Sequence, residues 1–280
     1  MSDKISNIIK KIIKYDVIKY ERLKYEDYDG YYNVWKVTID NNQYILKQVS
    51  DNELSFYKEI ECRYIPYYYG SCSYYKKTYM LLEYINGNNL MKCEKENLKK
   101  ALDAIINIQS NNYNINSNYD EKLQKVINRK QYLNNDVLEK TYEKFIIRYQ
   151  NIYKTLTHDD LLPFNVLVKD DKAVLIDWEH FGILPYPLMI CRLLAHCMNN
   201  KYYTFYMKDK DKDFAINYYY INYVSLLGID INTYLEDINY FMFYEYTEWI
   251  YVYNKYNKTR DNRYEYYMEK ALEYACKLKQ

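Results

Sequence analysis

Glycine is scarce here, 5 in 280 residues, and proline scarcer, 4. No glycine-rich series is available to cradle phosphates. The one candidate is Asp29-Gly30-Tyr31-Tyr32-Asn33, where Gly30 allows a single tight turn and one close backbone approach. No apolar run reaches the ~18 residues that a membrane-spanning helix needs. The opening Met1-Ser2-Asp3-Lys4-Ile5 is no secretory signal, because lysines interrupt the apolar positions that follow. None of the six cysteines (62, 72, 93, 191, 197 and 276) forms a C-x-x-C pair. They read as reduced, mostly buried thiols of a cytoplasmic protein, with little support for a metal cluster. An excess of charge of one sign is missing too. Lys and Arg total 39 against 38 Asp and Glu, both spread evenly, which argues against nucleic acid as the main partner. There is no internal repeat.

What is present is a globular composition, 49% apolar and 28% charged, enough for an ample core. Ile5, Ile8, Ile9, Ile12 and Ile13 recur at helical spacing, which predicts a helix packed on the first part of the fold. Tyrosine stands at 41 against 8 Phe. Tyr, Lys, Asn and Ile share AT-rich codons, and Tyr reads as a replacement for Phe at half-buried positions.

The densest chemistry lies between Thr157 and Gly182. His158-x-Asp160 is followed five residues on by Asn165, and Asp177 closes an apolar run. Leu161-Leu162-Pro163-Phe164 spaces Asp160 from Asn165. It lets both polar groups reach one cleft while the apolar ones anchor the loop, and Pro163 stiffens the turn. Val166-Leu167-Val168 and Ala173-Val174-Leu175-Ile176 flank Lys169-Asp170-Asp171-Lys172 and predict a hairpin that returns Asp177 to that cleft. Upstream, Val34 to Ile39 and Tyr44 to Lys47 are alternating runs joined by Asp40-Asn41-Asn42, a second hairpin with Lys47 at its end. Asn52 to Ile60 has helical spacing of Phe56 and Ile60.

This order and wording resembles the aminoglycoside phosphotransferase and choline kinase superfamily, over roughly residues 28 to 198. Asp159 inside H-x-D and the segment Ile176-Asp177-Trp178-Glu179 resemble that superfamily more than protein kinases, which use Arg and D-F-G there. The resemblance implies an α+β, bilobal protein-kinase-like fold with a small β-rich first lobe and a larger, mainly helical second lobe. We set these as residues 1–85, nucleotide-binding, and 86–280, catalytic and substrate-binding. It further implies ATP as donor, with GTP left open, and Mg2+ as metal. Asp160 is the expected base, and Asn165 and Asp177 the metal ligands. Lys47 is the phosphate-binding lysine and Glu53 its partner, with Glu59 as a fallback. Gly30 and Asn33 fit a reduced G-x-x-N phosphate loop. Glu83, Tyr84 and Ile85, at the end of the buried run from Thr78, are the adenine-contacting backbone. His158 is expected to organise the loop. Relatives show Pro-x-x-Asp after the metal segment; here Leu184 to Ile190 lacks that aspartate.

The remainder reads helical. Helices are expected at Leu98–Ile108, two within Glu121–Tyr149, and at Leu188–Met198, Phe214–Leu227, Tyr234–Tyr253 and Arg263–Lys279, with a polar loop from Asn111 to Asn118. Glu245, Glu248 and Trp249 share one helical face, a combination suited to an ammonium group. The expectation is an ATP- and Mg2+-dependent kinase that phosphorylates a hydroxyl of a small, amine-bearing acceptor. A choline- or ethanolamine-type kinase is an alternative, and so is a non-catalytic kinase-like scaffold such as a spore-coat protein.

Overall fold

The computed structural model describes residues 2–15, 17, 19–24, 29–111, 113, 115 and 118–279. Its first part is an antiparallel sheet of β1 (Lys19–Lys24), β2 (Tyr31–Ile39), β3 (Asn42–Val49), β4 (Tyr68–Tyr74) and β5 (Lys77–Glu83), in the order β1-β2-β3-β5-β4. The β2–β3 turn uses Asp40 and Asn41 with φ of 45° and 65°, the left-handed pair that a two-residue hairpin requires. Tyr75 and Lys76 make the same turn between β4 and β5, although neither residue signals it.

The isoleucine stripe forms α1 (Ser2–Ile13), which lies on β4 and β5. Ile5, Ile8 and Ile9 are buried there with Val37, Leu46, Tyr79 and Leu81 in a small core of their own. Beyond β3, α2 (Asp51–Glu59) starts at Ser50, whose hydroxyl accepts from the Glu53 backbone N–H at 3.3 Å. That cap ends the strand run at Val49 and sets the turn on which Glu53 stands.

The chain leaves the sheet after Glu83 and crosses at Gly87. A Cβ there would lie 2.6 Å from the carbonyl oxygen of Val168, so only glycine permits this close approach. Asn88–Asn89, β6, then pairs with Leu167 and Val168 of a later hairpin. In the second part β7 (Lys154–His158) runs into the loop of residues 159–165, β8 (Val166–Lys169) and β9 (Lys172–Leu175) form the hairpin, and β10 (Phe181–Pro185) returns along β7. Around them pack α3 (Lys95–Ser110), α4 (Tyr119–Arg129), α5 (Asp136–Asn151), α6 (Leu188–Ala195), α7 (Asp209–Asn222), α8 (Ile231–Lys255) and α9 (Asn262–Lys277).

α3 is the central post. Leu98, Ala101, Leu102, Ala104, Ile105 and Ile108 are all buried against the hairpin strands and α7. α6 is too apolar to face water on any side, and it packs on α8. No helix among the described residues is long and apolar enough to cross a membrane. A β-rich first region and a helical second region thus stand as expected. Three departures appear. Residues 214–227 are split: α7 ends at Asn222 and a 3-10 turn covers Val224–Leu227. The helix expected from Leu188 stops at Ala195, short of Met198. β1, β4, β7 and β10 had no clear alternating signature. Of the polar loop from Asn111 to Asn118, positions 112, 114, 116 and 117 lie outside the described residues.

Candidate active site

Lys47 projects from β3 into the gap between the two parts of the fold. Its ammonium donates to Oε1 of Glu53 at 2.7 Å and to Oδ1 of Asp177 at 2.5 Å. One residue from the sheet, one from α2 and one from beyond the hairpin are thereby joined, and Asp177 lies 130 positions from Lys47. Glu59, the fallback partner, is exposed at the far end of α2. Burial disfavours the Lys47 charge, but the two carboxylates outweigh it, and its pKa is raised. Burial would raise Asp177 as well. Lys47 overcomes that by charge and hydrogen bond, and the Asp177 pKa is lowered.

Glu53 goes the other way. Burial pushes it up to about 7 against the pull of Lys47, and the negative charge of Asp177 adds to the rise. One ammonium serves two carboxylates, and Oε2 of Glu53 is buried with no hydrogen-bond partner. The trio is therefore short of positive charge.

Asp177 adopts φ 66° and ψ 61°, left-handed values that aspartate tolerates better than most residues. This kink ends the apolar run and turns the carboxylate toward Lys47. Trp178 follows and is wholly buried. Its Nε1 donates to the Leu175 carbonyl at 2.9 Å. Asn52 of α2 donates through Nδ2 to the Glu179 carbonyl at 2.7 Å, a further tie between the two regions.

The loop from His158 to Asn165 is fixed from inside. His158 is fully buried, and its Nε2 lies 2.9 Å from the Ile176 carbonyl, so that nitrogen must donate. Its Nδ1 then accepts from the Asp160 backbone N–H at 3.2 Å. This is the neutral tautomer, in keeping with a pKa lowered by burial. His158 thus ties the loop to the strand before Asp177 without facing the cleft. Asn165 donates through Nδ2 to the Asp160 carbonyl at 2.9 Å, which fixes the amide and leaves its Oδ1 for another partner.

The Asp160 carboxylate is held by a residue that the sequence did not single out. Arg192 of α6 donates to Oδ1 through Nη2 at 2.7 Å and Nε at 3.3 Å. Its Nη1 donates to Oε2 of Glu245 at 3.0 Å and also to Glu248. The only sequence hint was a cation on an otherwise apolar helix. His158 and Arg192 thus hold the loop from two sides. In the same region the Tyr186 hydroxyl donates to buried Asp237 at 2.7 Å.

Glu245 and Glu248, expected to face an acceptor ammonium, already hold an internal cation. Trp249 does as well, since the Arg263 guanidinium lies 4.8 Å from its ring centroid. Asn33 is in strand β2 rather than in a loop, and its side chain accepts from Arg22 Nη2 at 2.6 Å. Gly30 precedes β2 with φ 152°, and residues 25–28 before it lie outside the described residues. Glu83 ends β5, and its N–H donates to the Tyr67 carbonyl at 2.8 Å. Tyr84 lies under the Lys36 ammonium, 4.2 Å from its ring centroid, and Ile85 is buried.

Solved structures share this architecture. An aminoglycoside phosphotransferase from Alicyclobacillus acidocaldarius superposes with a TM-score of 0.62 at 13% identity, over 98% of this chain and 95% of that one. A choline kinase from Cryptosporidium parvum gives 0.63 at 13% identity, over 99% and 97%. An amicoumacin kinase in complex with AMP-PNP, Ca2+ and Ami gives 0.63 at 13% identity, over 91% and 88%. The RIO domain family, whose fold is protein-kinase-like, matches residues 117–181. No curated protein sequence matches the chain. The fold is the protein-kinase-like fold, as in aminoglycoside phosphotransferase and choline kinase structures.

Proposed function

We propose that the chain is an ATP- and Mg2+-dependent phosphotransferase acting on a hydroxyl of a small, amine-bearing molecule. The observation that carries this reading is the Lys47 ammonium shared by Glu53 and Asp177, facing a loop on which Asp160 and Asn165 are locked together. In this reading residues 1–85 bind the nucleotide and residues 86–280 carry the catalytic loop and the acceptor. Glu83 to Ile85 meet the base through backbone, leaving GTP open as donor. Gly30 and Asn33 lie at the phosphate end.

The residues present fit a hard divalent cation. Glu53, Asp177 and Glu179 bring carboxylate oxygens within 4.8 Å of one another, and one buried oxygen of Glu53 lacks a partner. Asn165 and Asp177 would hold Mg2+, and bound Mg2+-ATP would supply the transferable phosphoryl group with its charge partly neutralised. Lys47, kept in place by Glu53, then binds phosphate oxygens. Asp160 orients the acceptor hydroxyl and takes its proton. His158 keeps the loop in register as its neutral tautomer. The complex of the amicoumacin kinase with AMP-PNP and Ca2+ supports a nucleotide and a divalent ion as partners of this fold.

The amine on the acceptor is supported by charge. Asp159, Asp160, Glu245 and Glu248 face Lys122, Arg129 and Arg192 in one network. Four carboxylates thus stand with three Lys and Arg side chains beside the base, a setting that suits an ammonium. The same charge suits choline or ethanolamine. The set of five polar groups, Lys47, Glu53, Asp160, Asn165 and Asp177, counts against a non-catalytic scaffold.

The deciding experiment is ADP release from Mg2+-ATP over a panel of aminoglycosides, choline, ethanolamine and neutral sugars. Turnover on an amine-bearing member supports the reading. Preference for a neutral sugar removes the amine, and nucleotide binding with no turnover on any acceptor leaves the scaffold.

A further inference from the structure

Arg192 is the hub of a network that joins the proposed base to α8. Its side chain is 12% exposed, and its fork spans two sets of partners. Nη2 and Nε serve Oδ1 of Asp160, while Nη1 serves Glu245, Glu248 and, at 3.0 Å, Nε2 of His196. His196 is itself fixed by the Tyr267 hydroxyl, 2.9 Å from Nδ1. Glu245 is 3% exposed and Glu248 half-buried, so these carboxylates hold the guanidinium plane from behind. A planar fork held on one edge presents its other edge in a fixed direction, which a flexible ammonium does not.

Among the described residues no other donor holds the Asp160 carboxylate. With Oδ1 taken from the side of α6, the second oxygen, Oδ2, is the one left for an acceptor hydroxyl. We propose that Arg192 is the positioning residue of Asp160, and that Glu245, Glu248 and His196 act on phosphoryl transfer through Arg192 rather than by gripping the acceptor's amine. This rests on the phosphotransferase reading above. It reassigns the two glutamates from substrate binding to orientation of the base. The effect belongs in kcat, because a misdirected base weakens the transition state and leaves ground-state binding alone.

The test is a double-mutant cycle of Arg192→Lys and Asp160→Asn, scored by ADP release with kanamycin, choline and ethanolamine, and by urea unfolding. Lysine keeps the charge but cannot make the fork. Arg192→Lys should lower kcat on the order of 10²-fold, as misplacement of a reacting group by about an ångström does. KM for ATP and acceptor should barely move. In the Asp160→Asn background the same change should have no further effect on residual turnover. Equal losses in both backgrounds would make Arg192 a purely structural bolt between α6 and α8, and wild-type kcat in Arg192→Lys would also overturn the proposal.

Should Arg192→Lys not fold, Glu248→Gln removes one anchor and leaves the guanidinium. A fall in kcat at constant acceptor KM supports the proposal, whereas a raised KM at constant kcat assigns Glu248 to the acceptor and overturns it. If the wild type releases no ADP with any acceptor while Asp160 and Arg192 remain coupled in unfolding free energy, the phosphotransferase reading has failed. The positioning role then falls with it, and the ion pair stands as structure only.

Discussion

The ring of Phe56 in α2 lies flat on the indole of Trp178, with centroids 4.3 Å apart and planes within 9° of parallel. Both side chains are fully buried. The stack joins the helix that carries Glu53 to the segment that carries Asp177, alongside the ion pairs of Lys47. Phe56→Ala should therefore do two things. It should cost about 3–5 kcal/mol of stability, as large-to-small changes of buried aromatics do. It should also blunt the stabilisation by Mg2+-ATP, because Trp178 loses the wall that fixes its neighbour Asp177. Urea unfolding gives the first effect and thermal shift the second. Lost stability with an undiminished ligand shift would reduce the stack to core packing.

Nucleotide binding should depend on the metal. Glu53 and Asp177 share one ammonium, Lys47, the Glu179 carboxylate lies close by, and polyanionic ATP alone adds to their repulsion. Thermal stabilisation by ATP should be small in EDTA and rise clearly with Mg2+. Equal shifts in both buffers would remove Asn165 and Asp177 from the roles proposed for them.

Asp160→Asn should cut turnover to a small, measurable residue and leave nucleotide binding nearly intact. The amide is close to isosteric and can still accept from Arg192, but it cannot take a proton. A positioned base contributes roughly 10²–10⁴-fold. Near-wild-type turnover by this variant on the preferred acceptor would strike Asp160 from the mechanism.

The parts that sequence conveyed best were short and local. His158, Asp160, Asn165 and Asp177 lie within one loop and hairpin, where spacing fixes geometry, and the hairpin formed almost residue for residue. Lys47 and Glu53 were legible for a similar reason, since a strand end and a capped helix start place them six positions apart. Arg192 was not legible. Its partners lie 32, 53 and 56 positions away, and a cation on an apolar helix says nothing of which carboxylate it meets. Glu245 and Glu248 showed their shared face but not what fills it. Asn33 stands in β2 rather than in a loop, because one glycine cannot distinguish a phosphate loop from a strand start. β7 and β10 went unseen because they are short and mostly buried on both faces, which removes the alternation that marks a strand.

The Arg192 network should also leave a mark on acid stability. Burial alone would raise the Glu248 pKa, but Arg192, with help from His196 and Arg129, brings it down to about 2 from an ordinary 4.5. A carboxyl whose pKa is depressed in the fold contributes stability that is fully present above the unfolded value. That contribution fades as pH falls from about 4.5 toward 2, where the folded form also takes up its proton. Glu248 is 27% exposed and shares Arg192 with Glu245, so solvent and competition reduce the effect to the order of 1–3 kcal/mol. Glu248→Gln removes the titrating group while keeping its shape. Urea unfolding of wild type and variant at pH 6.5 should show the wild type more stable, and the gap should narrow steadily toward pH 3. A gap that stays constant across that range would mean that Glu248 is not held by Arg192 in solution. The positioning role proposed for the glutamates would then lose its Glu248 arm.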